Sequence, residues 1–234
     1  PPPPLPHTYF PFASGTQNTT PPQLKKDVEA ELEWDPSINA AEVGVAVKDG
    51  VVTLSGHLDT FVEKYEVEKV VQRVAGVRAV AIEIDVKLTA GSARSDSEIA
   101  HAVETAFNWH SSVPAERVQV KVEKGWVTLS GEVDWEFQRA AAANLVRPLV
   151  GVVGVNNAIV LKPRTTPDNI GKRIRDALTR QAEREAKGIE VHVNGSTAVL
   201  RGSVHSLAER VAAQGAAWSA PGITRVDNEL RISP

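Results

Sequence analysis

The sequence has no cysteine and no methionine, and only 5% of its 234 residues are aromatic. The absence of cysteine excludes disulfides, thiol nucleophiles, iron–sulfur clusters and cysteine-ligated zinc. No run of eighteen apolar residues occurs, which excludes a membrane-spanning helix. A net charge of −3 argues against a general nucleic-acid binder, because such proteins carry a strong basic excess. With 42% apolar and 24% charged residues, the composition predicts packed cores rather than a disordered chain.

The first 22 residues differ in composition from the rest of the chain. They contain eight of the 15 prolines and no Asp, Glu, Lys or Arg, which predicts an extended proline-rich tail without a helix or central strand. This tail shows neither the basic start nor the apolar stretch of a signal peptide. The sequence therefore leaves the cellular compartment open.

An internal repeat dominates residues 23–234. The segment Val-Thr-Leu-Ser-Gly at 52–56 recurs at 127–131 and, as Ala-Val-Leu-Arg-Gly, at 198–202. Two sets of glycines keep the same spacing, and we interpret them as structural: Gly56, Gly131 and Gly202 at the end of this motif, and Gly76, Gly151 and Gly222 before a later strand. A unit of this size can fold as a small domain. We predict three domains, at 23–90, 91–162 and 163–234.

The apolar pattern of each unit predicts a helix, two strands, a second helix and a third strand, in that order. In the first unit, Leu24, Val28 and Leu32 form a helical stripe, and alternating valines at 43–47 predict a half-buried strand. A turn with Asp49-Gly50 predicts a hairpin to the second strand. Because strand–helix–strand connections are right-handed, we expect an α+β fold in which each unit is a three-stranded mixed sheet with both helices on one face.

This pattern resembles the BON domain family (bacterial OsmY and nodulation domain), and the three ordered copies resemble its triple-BON members. The resemblance implies a binding and stress-associated role linked to osmotic shock, phospholipid surfaces, the bacterial envelope and chaperone-like activity. It implies a periplasmic or envelope location, with the cytoplasm as the alternative. It brings no catalytic residues and no cofactor. One branch of the family binds potassium together with a second type of domain.

Few residues are candidates for a catalytic or metal-binding role. Ser55 and His57 could form a nucleophile and base, but the second unit has Ser130 with Glu132, so the pair does not repeat. We therefore interpret Gly56 and its neighbours as a strand end that turns on glycine. No two of the six histidines are three or four residues apart, so no compact metal motif occurs. We expect this protein to have no enzymatic activity and no metal site.

Three tryptophans are candidate contact residues. Trp34 and Trp109 share the position at the end of the first helix of their units, where an indole could insert into a lipid interface or pack against the next unit. Trp126 alternates with Val127, which places it on the sheet face without helices. We consider Trp126 a candidate for contact with a partner or another domain.

Charge changes sign along the repeats. Residues 23–90 carry 8 basic and 13 acidic side chains, residues 91–162 carry 7 and 8, and residues 163–234 carry 11 and 8. A basic stripe is predicted beside the apolar face of the first helix of the third unit: Arg173, Arg180, Arg184 and Lys187. Such a stripe is typical of a contact with anionic lipid or an acidic partner, and also of a solvated helix face.

The sequence supports one main hypothesis and two alternatives. The main hypothesis is a non-enzymatic stress-associated protein whose three units bind a phospholipid surface or exposed protein, with avidity from their linkage. The first alternative is a structural homo-oligomer built by contacts between units. The second is a potassium sensor, for which the sequence shows no cluster of oxygen ligands.

Overall fold

The computed structural model describes residues 20–163, 167–181 and 188–233, with the side chains of 179–181 excepted. The described residues form three consecutive α-β-β-α-β repeats. We call them repeats 1, 2 and 3 in chain order. Positions 1–19 of the predicted proline-rich tail lie outside the described residues.

The three repeats have closely matched element lengths. Repeat 1 comprises α1 (Pro21–Trp34), β1 (Val43–Lys48), β2 (Val51–Leu58), α2 (Phe61–Arg73) and β3 (Ala79–Val86). Repeat 2 comprises α3 (Asp96–Trp109), β4 (Val118–Glu123), β5 (Trp126–Val133), α4 (Glu136–Val146) and β6 (Gly154–Leu161). Repeat 3 comprises α5 (Ile170–Gln181), β7 (Ile189–Asn194), β8 (Thr197–Val204), α6 (Leu207–Trp218) and β9 (Arg225–Ile232).

Each repeat has one sheet with its second strand in the centre. In repeat 1, β2 pairs antiparallel with β1 and parallel with β3, so that Leu54 lies opposite Val45 on one side and Ile82 on the other. The same pairing recurs in repeats 2 and 3. The predicted α+β fold, with three tandem repeats and small mixed sheets, is confirmed.

Both helices of a repeat cover the same face of its sheet. Strand residues alternate, so one side of β2 carries the fully buried Val52 and Leu54, while Ser55 and His57 on the other side are exposed. The helix stripe Leu24, Val28, Leu32 meets this core, as predicted. Among the described residues, no helix lies on the opposite face of these sheets.

The strand-motif glycines allow an unusually close approach of the backbone. A Cβ on Gly131 would lie 2.1 Å from the carbonyl oxygen of Arg117, and Gly56 and Gly202 are equally crowded, at 2.0 and 1.9 Å. Their φ angles, between 123° and 129°, also favour glycine. These glycines lie opposite the first residues of β1, β4 and β7.

One detail of the sequence interpretation is wrong. We expected the strand to end and turn at Gly56, but β2 continues to Leu58, which pairs with Val86. Only the antiparallel pairing ends at Gly56, because the chain before β1 crosses over the glycine there. The parallel pairing with β3 needs no such crossing and continues for two more residues.

A side-chain link joins the second helix to the last strand, and the sequence analysis missed its role. The amide of Asn157 donates to the carbonyl oxygen of Arg139 at 2.8 Å, and Asn228 donates equivalently to Arg210 at 3.1 Å. Repeat 1 has Ile82 at this position. There the Lys64 ammonium, on α2, donates to the carbonyl oxygen of Ile84 at 2.6 Å. The helix is thus tied to the strand in all three repeats by different chemistry.

We predict that Gly131→Ala lowers the free energy of unfolding by more than about 2 kcal/mol, because the added Cβ meets a carbonyl and φ becomes strained. The matched control is Gly215→Ala inside α6, where a Cβ meets nothing within 4 Å. That change should raise stability by about 0.5–1 kcal/mol, the helix propensity difference. Denaturant unfolding measures both, and equal effects would contradict the steric interpretation.

We also predict that Leu54→Ala or Leu129→Ala costs about 2–5 kcal/mol, because both leucines are fully buried under their helices. Ser55→Ala, one residue along and on the exposed face, should change stability by less than about 0.5 kcal/mol. Thermal and urea unfolding of the three variants would check this difference between the two sheet faces.

Candidate interaction site

The two helix-end tryptophans project into solvent. Trp34 is the last residue of α1 and Trp109 the last residue of α3, and they are 86% and 83% exposed. The alternative that they pack against the next repeat is therefore not what the described residues show. Indoles exposed to solvent favour contact with another surface.

Trp34 forms one wall of a groove between the first helix of repeat 1 and the end of its second helix. We call this feature, at its equivalent position in each repeat, the helix groove. In repeat 1 it has a volume of about 960 Å³. The first helix and the residues after it contribute Asp27, Glu31, Trp34 and Asp35, and the end of α2 contributes Arg73 and Ala75.

The carboxylate of Asp35 is held in its charged form. It accepts hydrogen bonds from the backbone N–H of Ser37 at 3.0 Å and from the Ser37 hydroxyl at 2.6 Å. These bonds hold the pKa of Asp35 below its usual value. The Asp35 carboxylate therefore adds a negative charge to the helix groove of repeat 1.

The helix groove recurs in repeat 3 with different chemistry. It lies between α5 and α6, has a volume of about 240 Å³ and is lined by Arg173, Asp176 and Ser219, among others. Arg173 occupies the position of Asp27, and Ser219 that of Arg73, when the repeats are aligned on their strand glycines. A basic side chain thus replaces an acidic one at the same point of the fold.

In repeat 2 the equivalent positions carry no Asp, Glu, Lys or Arg. Ala102 replaces Asp27, Ala106 replaces Glu31, and Pro148 replaces Arg73. Val150, at the position of Ala75, is 53% exposed. Together with Trp109 it gives this repeat an apolar surface where repeat 1 is acidic.

The predicted basic stripe is described only in part. Arg173 is exposed on α5, as expected for a surface residue. The side chain of Arg180 is not described, and Arg184 and Lys187 lie outside the described residues. The role of these four residues stays a prediction.

Trp126 lies on the helix-free face of its sheet, on the side predicted for it. It is 53% exposed, and its indole covers Gly154, its partner on β6, where an added Cβ would come within 2.5 Å of the ring. Glycine is needed at 154 because the ring lies flat over the backbone there. The lower exposure of Trp126 shows that it is more firmly packed than Trp34 or Trp109.

The second helices of the three repeats meet at a common junction. The guanidinium of Arg139 on α4 lies 4.4 Å from the ring centre of Trp218 on α6, and that of Arg147 lies 4.0 Å from the ring of Tyr65 on α2. Phe61 and Trp218 pack against the core of repeat 2, and α2 also contacts α6. The repeats therefore contact each other both through arginines stacked on aromatic rings and through apolar packing.

A mostly buried carboxylate lies in this junction. Glu136, the first residue of α4, is 2.7 Å from the Nε atom of Arg139, the same arginine that stacks on Trp218. Burial raises the pKa of Glu136, although the positive charge of Arg139 opposes this shift. Desolvation outweighs the ion pair because the side chain has little access to water.

The described geometry does not join Ser55 to His57. The Nε2 atom of His57 lies 3.3 Å from a carboxylate oxygen of Glu42, and both side chains are about half exposed. No hydrogen bond links Ser55 and His57 in the part of the chain that the structure describes. A triad requires the base to contact the nucleophile, so these residues lack that arrangement.

The positions of the acidic side chains and the character of the helices bear on two further classes of function. Among residues 20–163, 167–181 and 188–233, no group of three or more His, Asp or Glu side chains is arranged to hold a metal ion. No helix within these ranges combines the length and apolar character needed to cross a membrane.

The fold is a tandem array of three small α+β repeats. The family model for the BON domain matches residues 22–87, 95–163 and 167–234. The chain therefore belongs to the BON domain family, as the resemblance in its sequence indicated. The three matches correspond to the three repeats of the structure.

A curated relative and two solved structures are similar to this chain. Osmotically-inducible protein Y of Escherichia coli (strain K12) is 29% identical over 139 residues, which cover 58% of this chain and 69% of the relative. The C-terminal domain of CdsD, described as a structural protein of the type III secretion system of Chlamydia trachomatis, is 17% identical over 90% of this chain and 98% of its own, with a TM-score of 0.24. Another CdsD structure is 17% identical, covers 88% and 90%, and has a TM-score of 0.23. These TM-scores are too low to support an argument about structure or function.

We predict that Glu136→Gln becomes progressively more stable relative to the unchanged protein as pH rises from about 4 to 7. The sign follows from the raised pKa: charging Glu136 costs more in the folded state than in the unfolded state, and glutamine avoids this cost. Urea unfolding at several pH values measures the difference. A stability difference that is constant across this range would show that burial does not control the charge of Glu136.

Proposed function

We propose that this chain is a non-enzymatic, stress-associated binding protein that docks on phospholipid surfaces at the bacterial envelope. Its membership of the BON family and its similarity to an osmotically inducible protein support the stress-associated role. The observation that carries the lipid contact is Trp109, which is 83% exposed at the end of α3, while the positions equivalent to the acidic groove lining of repeat 1 carry no Asp or Glu in repeat 2.

Repeat 2 has the chemistry needed at a lipid interface. Tryptophan is favoured between the headgroups and the acyl chains, because its ring is apolar and its N–H can still be hydrated. Val150 and Pro148, at the positions equivalent to Ala75 and Arg73, are exposed apolar residues, and no carboxylate at these equivalent positions opposes an anionic headgroup. In repeat 1, by contrast, Trp34 is surrounded by acidic side chains that anionic lipid would repel.

Repeat 3 supplies the electrostatic part of the same contact. Its excess of basic residues, including the exposed Arg173, attracts an anionic surface, at about 1 kcal/mol for each residue near the membrane. Contacts from two linked repeats reinforce each other when both reach the surface. The attraction should weaken between low and physiological salt, where the screening length falls to about 8 Å.

The decisive experiment compares two equally exposed tryptophans by vesicle co-sedimentation. Trp109→Ala should weaken binding by at least about tenfold, since burying a large apolar side chain contributes roughly 1.5–3 kcal/mol. Trp34→Ala is the matched control, at the same position of repeat 1 but in an acidic groove, and should leave binding unchanged. Trp126→Ala should also bind normally.

Charge is tested with neutral and anionic vesicles in parallel. Changing Arg173, Arg180, Arg184 and Lys187 together to Glu should remove the preference for anionic vesicles while the circular-dichroism spectrum stays unchanged. The same exchange at Lys25, Lys26 and Lys64 in repeat 1 should have little effect. If the unchanged protein ignores both kinds of vesicle at low salt, or if Trp109→Ala binds normally, the proposed lipid contact is wrong.

A further inference from the structure

The helix groove of repeat 1 carries an uncompensated negative charge. Asp27, Glu31 and Asp35 line it, against one basic residue, Arg73, in the described lining. Asp27 accepts a hydrogen bond from Gln23, and Asp35 is held by Ser37, so neither carboxylate is neutralised by these contacts. No Lys or Arg among the described residues forms an ion pair with Asp27 or Glu31. The groove therefore attracts cations.

The exposed indole of Trp34 indicates which class of cation suits this groove. A flat aromatic ring beside carboxylates is an environment that suits a guanidinium group, which can stack on the ring while it donates to the carboxylates. The chain already uses this arrangement between its own repeats, where Arg139 stacks on Trp218 and also pairs with Glu136. Trp34 with Asp27 and Glu31 offers the same combination of ring and carboxylate, and no arginine among the described residues stacks on the Trp34 ring.

Repeat 3 presents the complementary group on its first helix. Lys172 and Arg173 are both exposed on α5, and Arg173 occupies the position that Asp27 has on α1. Because Arg173 is exposed and Trp34 is 86% exposed, the two sites are not satisfied by each other within one chain. The repeats that carry them have net charges of opposite sign, −5 for residues 23–90 and +3 for residues 163–234.

We call the exposed surface of α5 that carries Lys172 and Arg173 the α5 face. We infer that the helix groove of repeat 1 docks the α5 face of repeat 3 from a second copy of this chain, with the guanidinium of Arg173 over the Trp34 indole. With one such contact between neighbouring copies, the association is head to tail. In a pair, one copy keeps its groove free and the other keeps its α5 face free, so further copies can add until a ring closes.

This inference does not rest on the proposed lipid contact, and its test contains no lipid. Sedimentation-velocity and light-scattering measurements on the full chain, at about 20 mM and about 300 mM salt, should show a mean mass that grows with protein concentration at low salt only. Salt screens the attraction because the groups on both surfaces are exposed. A chain that stays monomeric at low salt and high concentration would overturn the inference.

Two variants identify the surfaces. Asp27→Lys with Glu31→Lys reverses the groove, and Lys172→Glu with Arg173→Glu reverses the α5 face. Asp35 is left unchanged because it holds the turn at Ser37. Each double variant alone should lose self-association by at least about tenfold in the association constant. An equal mixture should associate again, because one variant keeps the native groove and the other keeps the native α5 face.

The mixture shows whether the groove and the α5 face are partners of each other. If each contacted some other surface, mixing the two defective variants would not restore association. The matched control is Glu83→Lys with Asp85→Lys, which removes two acidic residues from the helix-free sheet face of the same repeat and should associate like the unchanged chain. Trp34→Ala should weaken association without changing the circular-dichroism spectrum. Normal association of either double variant alone would overturn the inference. Failure of the equal mixture to associate would also overturn it.

Discussion

The geometry of every repeat depends on the close contact between the central strand and the chain that enters the sheet. At Gly56, Gly131 and Gly202 a backbone carbonyl occupies the space of a side chain, so the first strand begins directly over the second. This contact sets the register of the antiparallel pair. The register fixes which strand residues face the helices, and thereby where both helices lie and where the groove between them opens.

The groove therefore opens at the same place in repeats 1 and 3, while the residues around that place are free to change in all three repeats. The fold requires the buried stripe of the first helix but places no demand on the exposed positions beside it. As a result the equivalent positions differ: they are acidic with a tryptophan in repeat 1, uncharged with a tryptophan in repeat 2, and of mixed charge, with Arg173 and Asp176, in repeat 3. A tandem array can in this way present three different surfaces on one chain.

The junction of the second helices gives these sites a common support. All three repeats meet there, because Phe61 of repeat 1 and Trp218 of repeat 3 both pack against the core of repeat 2, and α2 contacts α6. Stacked arginines at 139 and 147 extend these contacts at the edge of the packed core. Sites held by a shared junction meet a surface or a second copy with less loss of orientational freedom than sites on independent domains.

Sequence alone determined the repeat, its element order, the mixed sheet and the buried helix stripes, because periodicity and glycine spacing depend on local geometry and on a single buried face. It also located Trp34 and Trp109 at equivalent helix ends. Only the tertiary structure decided that these indoles are exposed, that the strand continues past Gly56, and that Asn157 and Lys64 tie helix to strand. It alone brought Asp27 and Trp34 together with Arg73, and Arg139 with Trp218. These pairs are distant in the chain, and their contacts arise from the packing of one element on another, which no local pattern encodes.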